Sequence, residues 1–521
     1  MKLYIFKYIT CITIALLLAV SCTSGDIAST SPSVAPVSTA VTFKTYIGSA
    51  ATRATYPSDA LGGIVGAIDN NRLKETGFGV FAHYAGKTAW GSYTKTTPFN
   101  FMWNQQVSWD DGLSTPAWTY SPVKYWPNDN QPADLAGATG SQEHSYLNFF
   151  AYAPYQKEET PATGFNKKDT DSNSDGKPDN DGIVEVSANS ANVDESYIYY
   201  RTSNVKPFDV DESVDLLWAS QQDLWKTKPS GEGYVDGQVH LTFKHALSLM
   251  TVAVQGLFDH IDNNDASVTY PDDRDMFTKI LIESVDFSGS PLFREGKMYI
   301  APNPDNATVP HWEVTEAQTY ALGMVGEEIN PTFTNRYLDG TWHKYWDETD
   351  IGKTSEMNSF LQLSDQDEDG DLDADDALAL YNQLPSGVSH TEVPLDHTNW
   401  DAEAGKYEYK YYMVLPNDEY RTTHPAEKMK VRMVYYVITY DSRLTLVKTG
   451  YPKYFSIVKN DITATFDTFS LAPNKKYKLL LQPGLTSAKF TVTVVDDWDT
   501  PLTLDPEVVD WYSTPIEYDV E

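Results

Sequence analysis

Cysteine is almost missing from this chain: its 521 residues include two, Cys11 and Cys22, both near the start. Everything after Cys22 must therefore fold without a disulfide, and a thiol nucleophile is excluded there. Basic residues are also scarce. Lys and Arg number 39 against 73 Asp and Glu, for a net charge of −34. Nucleic-acid binding needs a basic footprint, which this balance does not supply. An acidic surface suits an extracellular protein that takes up cations, or one merely kept soluble. After Val20 no run is long and apolar enough for a spanning helix. Catalytic signatures are lacking as well. There is no Gly-x-Ser-x-Gly, no His-Glu-x-x-His and no Gly-x-x-x-x-Gly-Lys, and the 10 His are scattered without ligand spacing. His245, inside a strand-like block, reads as a packed, hydrogen-bonded core histidine. A pair of carboxylates for glycoside hydrolysis stays open, because such pairs lie far apart in sequence, but nothing selects one. The expectation is a protein that is not an enzyme.

Aromatics are plentiful, at 13% with 34 Tyr. They occur in short runs with Val and Thr, separated by Pro, Gly, Asn and Asp, which is the pattern of an all-β sandwich. The start of the chain reads as an address. Lys2 and Lys7 precede the apolar stretch Ile9 to Val20, and Ala19-Val20-Ser21-Cys22 forms a lipobox. Residues 1–22 are thus expected to be a lipoprotein signal, with a diacylglyceryl and palmitoyl anchor on Cys22; a plain signal peptide cleaved nearby is the alternative. Thr23 to Ala40 form a Ser/Thr/Ala/Pro tether. Val41 to Ile47 alternate, placing Val41, Phe43 and Ile47 on one face of a strand. Gly48 to Thr55 follow, with Arg53 among small and polar residues, a setting open to proteases. A cut between Arg53 and Ala54 by a trypsin-like, Arg-specific protease would release the anchor and the strand together. Alone, an arginine in a loop is usually just solvated; its place behind a detachable strand sets this one apart.

Several blocks bear a family resemblance. Thr52-Arg53-Ala54 is followed by Gly77-Phe78-Gly79-Val80-Phe81-Ala82. Phe101-Met102-Trp103-Asn104 precedes Trp118-Thr119-Tyr120-Ser121-Pro122. Leu147-Asn148-Phe149-Phe150-Ala151-Tyr152-Ala153-Pro154, Val214-Asp215-Leu216-Leu217-Trp218-Ala219, Leu241-Thr242-Phe243-Lys244-His245, Met413-Val414-Leu415-Pro416-Asn417 and Ala488-Lys489-Phe490-Thr491-Val492 come later. In this order they resemble the fimbrillins, shaft and tip pilins of type V pili. The resemblance implies two transthyretin-like β-sandwich domains in tandem. It also implies a removable propeptide at residues 23–53 and assembly with other pilin subunits head to tail. The domains are expected at 54–235 and 236–521, the second interrupted by an insertion at 302–407 that holds one helix, Ala374 to Leu384. Trp103, Trp118 and Trp126 read as core, with a sugar platform as the alternative.

Two acidic runs have calcium-loop spacing. In the first, Asp365, Asp367, Asp369, Asp371 (through its carbonyl), Asp373 and Asp376 supply oxygens around Gly370, with Leu372 expected to pack inward. In the second, Asp171, Asn173, Asp175 and Asp179 match more poorly, and Pro178 interrupts them. A solvated acidic turn is the alternative for both. Near the chain's end, Ile516, Tyr518 and Val520 alternate and could serve as a donor strand for a neighbouring subunit, or pair within their own domain. The expected place is the outer membrane, through the lipid alone, and then the surface fimbria, with a host glycan or protein as a possible receptor. A monomeric glycan-binding lipoprotein is the rival reading; Trp225, Trp342 or Trp511 could then stack on sugars.

Overall fold

Runs such as Phe78-Gly79-Val80-Phe81-Ala82 carry aromatic and β-branched side chains that fit a pleated surface, and glycine or proline ends them. In the computed structural model they become strands. The structure describes residues 39–47, 67–127, 145–157, 165–166, 181–187, 192–203, 213–226, 228, 230, 235, 237–257, 276–288, 292–301, 309–314, 319–320, 323–325, 336–338, 341–343, 370–384, 387–388, 392–395, 400–401, 406–407, 411–445, 453–467, 470–485 and 487–495.

The largest sheet has seven strands, in the order β1 (Thr42–Ile47), β10 (Gln238–His245), β9 (Leu217–Leu224), β5 (Tyr146–Ala153), β2 (Phe78–Gly86), β3 (Met102–Asp110) and β4 (Ala117–Thr119). Every neighbouring pair is antiparallel except β1 with β10, which run parallel. A five-stranded sheet of β15 (Trp312–Val314), β14 (Glu295–Tyr299), β8 (Tyr197–Arg201), β7 (Gly182–Ser187) and β6 (Phe165–Asn166) shares a core with it. Phe81, Phe150, Tyr152 and Trp218 from the first sheet meet Ile183, Ile198, Tyr200, Met298 and Trp312 from the second. The buried indoles are satisfied: Trp218 donates to Ile300 O at 3.1 Å and Trp312 to Ala246 O at 2.7 Å. A buried ion pair, Arg201 to Glu295 at 2.8 Å, ties β8 to β14.

A second pair of sheets follows. One contains β20 (Val393–Pro394), β11 (Ser248–Val254), β26 (Lys476–Pro483) and β27 (Ala488–Val495), with β23 (Tyr412–Val414) also paired to β11. The other contains β17 (Gly323–Val325), β12 (Met276–Ser288), β24 (Met429–Asp441) and β25 (Phe455–Phe466). Met250, Val252, Leu479 and Leu481 pack against Ile280, Ile282, Val431 and Tyr435 between them. Among the described residues three short antiparallel pairs complete the strands: β13 (Leu292–Phe293) with β16 (Thr319–Tyr320), β18 (Arg336–Leu338) with β19 (Thr341–His343), and β21 (Trp400–Asp401) with β22 (Lys406–Tyr407). The fold is all-β, as the composition implies.

Ala40 to Glu521 form one compact unit, distinct from Met1–Thr39. A cut at 235/236 would pass through the seven-stranded sheet, because β10 lies after it and pairs with β9 and β1 before it. β14, which also lies after that point, pairs with β8. Strand pairing of this range leaves no mark in local composition; Ser230, just before that point, donates its hydroxyl to Gln238 O at 2.9 Å and accepts His240 N–H at 3.1 Å.

Helices are few. α1 (Asn70–Thr76) is capped by Asp69, whose carboxylate accepts the backbone N–H groups of Asn71 and Arg72 at 2.9 and 2.7 Å. It ends at Gly77, where φ is 64° and a Cβ would lie 2.7 Å from Val107 O. α2 (Ala374–Gln383) matches the expected helix and buries Ala377, Leu380 and Tyr381 against Leu281, Tyr436 and Ile438. α3 (Asp418–Thr423) is a short turn after β23.

Candidate functional site

The site is the berth of β1. Its register with β10 runs from Thr42 opposite Gln238 to Ile47 opposite Phe243. Alternation turns Val41, Phe43 and Ile47 inward, exposed by 1%, 5% and 2%, while Tyr46 faces out at 53%. The Phe43 ring sits among Tyr120, Phe78 and Phe149, at centroid distances of 5.6, 5.9 and 6.1 Å. Such edge-on packing is worth more than the buried area alone. Thr45 Oγ1 accepts the Trp118 indole N–H at 3.0 Å.

Both ends of the strand are fastened. Val41 N–H donates to Lys124 O at 2.9 Å, and the Tyr120 hydroxyl donates to Val41 O at 2.8 Å. Burial pushes the Tyr120 phenol up from its ordinary range, so it remains a donor at neutral pH. At the other end the Asn70 carboxamide accepts Ile47 N–H at 3.0 Å and donates to Ile47 O at 3.1 Å. Each buried apolar side chain of this kind contributes about 1.5–3 kcal/mol, so β1 is held firmly but only by non-covalent contacts. Its departure would uncover the edge of β10 and the buried residues Phe78, Phe149, Trp118 and Phe243, all members of the same core.

Ile68 is tied down separately. Ile68 N–H donates to Asp215 Oδ2 at 2.8 Å, and the same oxygen lies 2.8 Å from His245 Nδ1. His245 N–H in turn donates to Asn474 Oδ1 at 3.0 Å. His245 is 1% exposed, the packed and hydrogen-bonded histidine expected from its block.

Arg53 and Ala54 lie outside the described residues, as do Cys22, Ile516, Tyr518, Val520, Asp365, Asp367, Asp369, Asp171, Asn173, Asp175 and Asp179. Of the first acidic loop, Asp371, Asp373 and Asp376 are described. Gly370 has φ of 90°, the turn conformation its place in the loop calls for. Asp373 caps α2, accepting from Asp375 N–H at 2.7 Å, while Asp376 Oδ2 accepts from Asp373 N–H at 3.1 Å. Leu372 departs from expectation: it is 52% exposed, because the turn directs it away from the α2 core. Among the described residues no group of three or more His, Cys, Asp or Glu converges as a metal site. Trp118 and Trp126 are buried at 8% and 4%, as the core reading requires; Trp103 corrects it, being 36% exposed because alternation along β3 turns it outward. Asn70, Trp118 and Tyr120 as fasteners of β1 were not legible in sequence, since each is an ordinary residue of a helix start, a strand or a loop until its partner more than twenty residues away is known.

No family model matches the chain. Over 94 residues, 18% of the chain, it is 32% identical to fimbrium subunit Fim1C of Phocaeicola vulgatus. The chain is similar to fimbrial subunits. The matched stretch spans 20% of that relative's length. A solved fimbrial protein from Bacteroides vulgatus aligns with 88% of the chain and 98% of its own, at a TM-score of 0.45 and 16% identity. A solved candidate cell adhesion protein from Bacteroides uniformis aligns with 88% of the chain and 97% of its own, at 0.31 and 11%.

A pH-sensitive contact lies on another face. His311, just before β15, pairs through Nδ1 with Glu419 on α3. That hydrogen bond, against the opposing effect of burial, raises the His311 pKa; Glu419, Glu313 and Asp418 add to it. Burial, then the Glu419 charge, lifts Asp418 to about 6. Both groups have folded pKa values above their unfolded ones. Their contribution is therefore full at low pH and fades as pH rises through the folded values. The pair is about one-third to one-half exposed, at 31% and 45%, so solvent keeps its effect small. His311→Gln should lower Tm by no more than about one degree at pH 5.5 and by less at pH 8, read from thermal melts at both.

Proposed function

We propose that the chain is a structural or adhesive subunit of a bacterial surface fimbria, made as a lipoprotein and assembled by strand exchange after proteolysis. One observation carries the reading: a short strand, buried on its inner face and bound only non-covalently at a sheet edge, stands six residues ahead of Arg53. Cys22 holds the precursor at the outer membrane through its lipid. An Arg-specific protease cuts between Arg53 and Ala54 and severs β1 from the body. Asp215 and His245 keep the new N-terminal region docked through Ile68. The emptied berth is filled by an extended segment of the next subunit, for which Ile516, Tyr518 and Val520 are the donor residues. Because the contact joins unlike surfaces, it repeats without closing and gives a filament. The 32% identity to a fimbrium subunit supports the same reading. Treating purified precursor with an Arg-specific protease should release a fragment ending at Arg53 and yield polymers; release without polymers rejects strand exchange.

Calcium is proposed for the loop Asp365–Asp376, with Asp171, Asn173, Asp175 and Asp179 as a weaker second site. The turn at Gly370 and the helix start at Ala374 fit such a loop, and the oxygen-rich run fits a hard cation. If so, a chelator should lower Tm by several degrees, and added Ca²⁺ but not Mg²⁺ should restore it. A melt unchanged by the chelator removes the ion from the account.

A further inference from the structure

Three of the inward positions of β1, at Val41, Phe43 and Ile47, are apolar. An apolar pattern repeats every second residue, so a strand could slip by two and still bury its apolar face. The remaining inward position breaks that degeneracy. Thr45 offers its hydroxyl oxygen to Trp118 Nε1 at 3.0 Å. Trp118 is 8% exposed, and Phe78 and Trp109 hold its ring at centroid distances of 4.9 and 5.3 Å. The indole N–H therefore points to one place in the berth and can only donate. Asn70 marks the far end. It meets both the N–H and the C=O of Ile47, as the backbone of a neighbouring strand would. Any residue but proline satisfies it, and it stops the strand at that position.

We propose that Trp118 and Asn70 determine which strand the berth accepts and in what register. The occupant is a segment of a second copy of this chain that alternates apolar residues with one Ser or Thr, as Thr514 does with Ile516, Tyr518 and Val520, its hydroxyl on Trp118 and a non-proline residue on Asn70. This rests on the strand-exchange reading, in which β1 is replaced by a strand of the same kind. An apolar side chain opposite Trp118 would leave a buried donor without an acceptor, which lowers affinity about tenfold or more.

The test uses synthetic peptides spanning Val41 to Ile47, competed against the severed strand in precursor cut at Arg53. The native peptide and its Thr45→Ser form should bind within about twofold of each other, and Thr45→Val about tenfold more weakly. In a Trp118→Phe precursor that difference should vanish; in Asn70→Ala, a peptide N-methylated at Ile47 should no longer be penalised. Equal binding of the Val and Ser peptides to the unaltered protein overturns the proposal. If the protease does not free β1, strand exchange itself fails. The Thr45→Val and Trp118→Phe double-mutant cycle, measured by denaturation of uncut precursor, then still decides whether the contact is specific: measurable coupling supports it and additivity rejects it.

Discussion

Arg53→Ala should leave the precursor folded, anchored and monomeric, with fibre yield reduced at least a hundredfold. Arg53 stands among small and polar residues, Gly48 to Thr55, and on the proposed reading its loss removes the protease site. The strand ahead of it would stay in place. Val41, Phe43 and Ile47 remain buried, and β10 keeps β1 as its partner from Gln238 to Phe243. No edge is presented, and a neighbouring subunit has nowhere to add a strand. Replacing Arg53 with Lys should restore assembly only with a protease that also accepts lysine. Electron microscopy of surface fibres and size-exclusion of extracted protein read the outcome; abundant fibres from Arg53→Ala would mean that another event frees the berth.

Phe43→Ala should separate the precursor from the assembled subunit. Phe43 is 5% exposed and packed edge-on against Tyr120, Phe78 and Phe149. Truncating a buried phenylalanine costs about 3–5 kcal/mol, which for a compact unit of this size lowers Tm by roughly 3–5 °C. β1 should also leave faster once cut, so protease-triggered assembly should quicken. Under the proposed cleavage the assembled subunit lacks residue 43, and its thermal stability should then match the unaltered fibre. Phe243→Ala offers the contrast. Phe243 is 1% exposed on β10 and stays after cleavage, so both precursor and fibre should weaken. Equal effects of Phe43→Ala on precursor and fibre would show that β1 is retained.

The strand itself was legible, since Val41, Phe43 and Ile47 alternate and a small-residue run follows them. Its direction and partner were not. β10 begins at Gln238, far along the chain, and a parallel pairing over that distance has no local signature. The same blindness placed a domain limit at 235, where the sheet in fact continues from β9 to β10. The helix at Ala374 was legible as the continuation of the acidic loop, and in the structure Asp373 and Asp376 fix its start with a capping box. Leu372 was misjudged: its place in a calcium-loop pattern suggested burial, but a side chain is buried only if some other segment covers it. Asn70 was hidden for a related reason. It begins a helix in sequence, and only the folded chain brings Ile47 within reach of its amide.

The N-terminal residue of subunits in sheared fibres tests the central claim most directly. Edman sequencing or mass spectrometry should find Ala54 first and no peptide from Val41 to Ile47. Subunits that begin at the lipidated Cys22, with β1 still in its berth, would contradict the account.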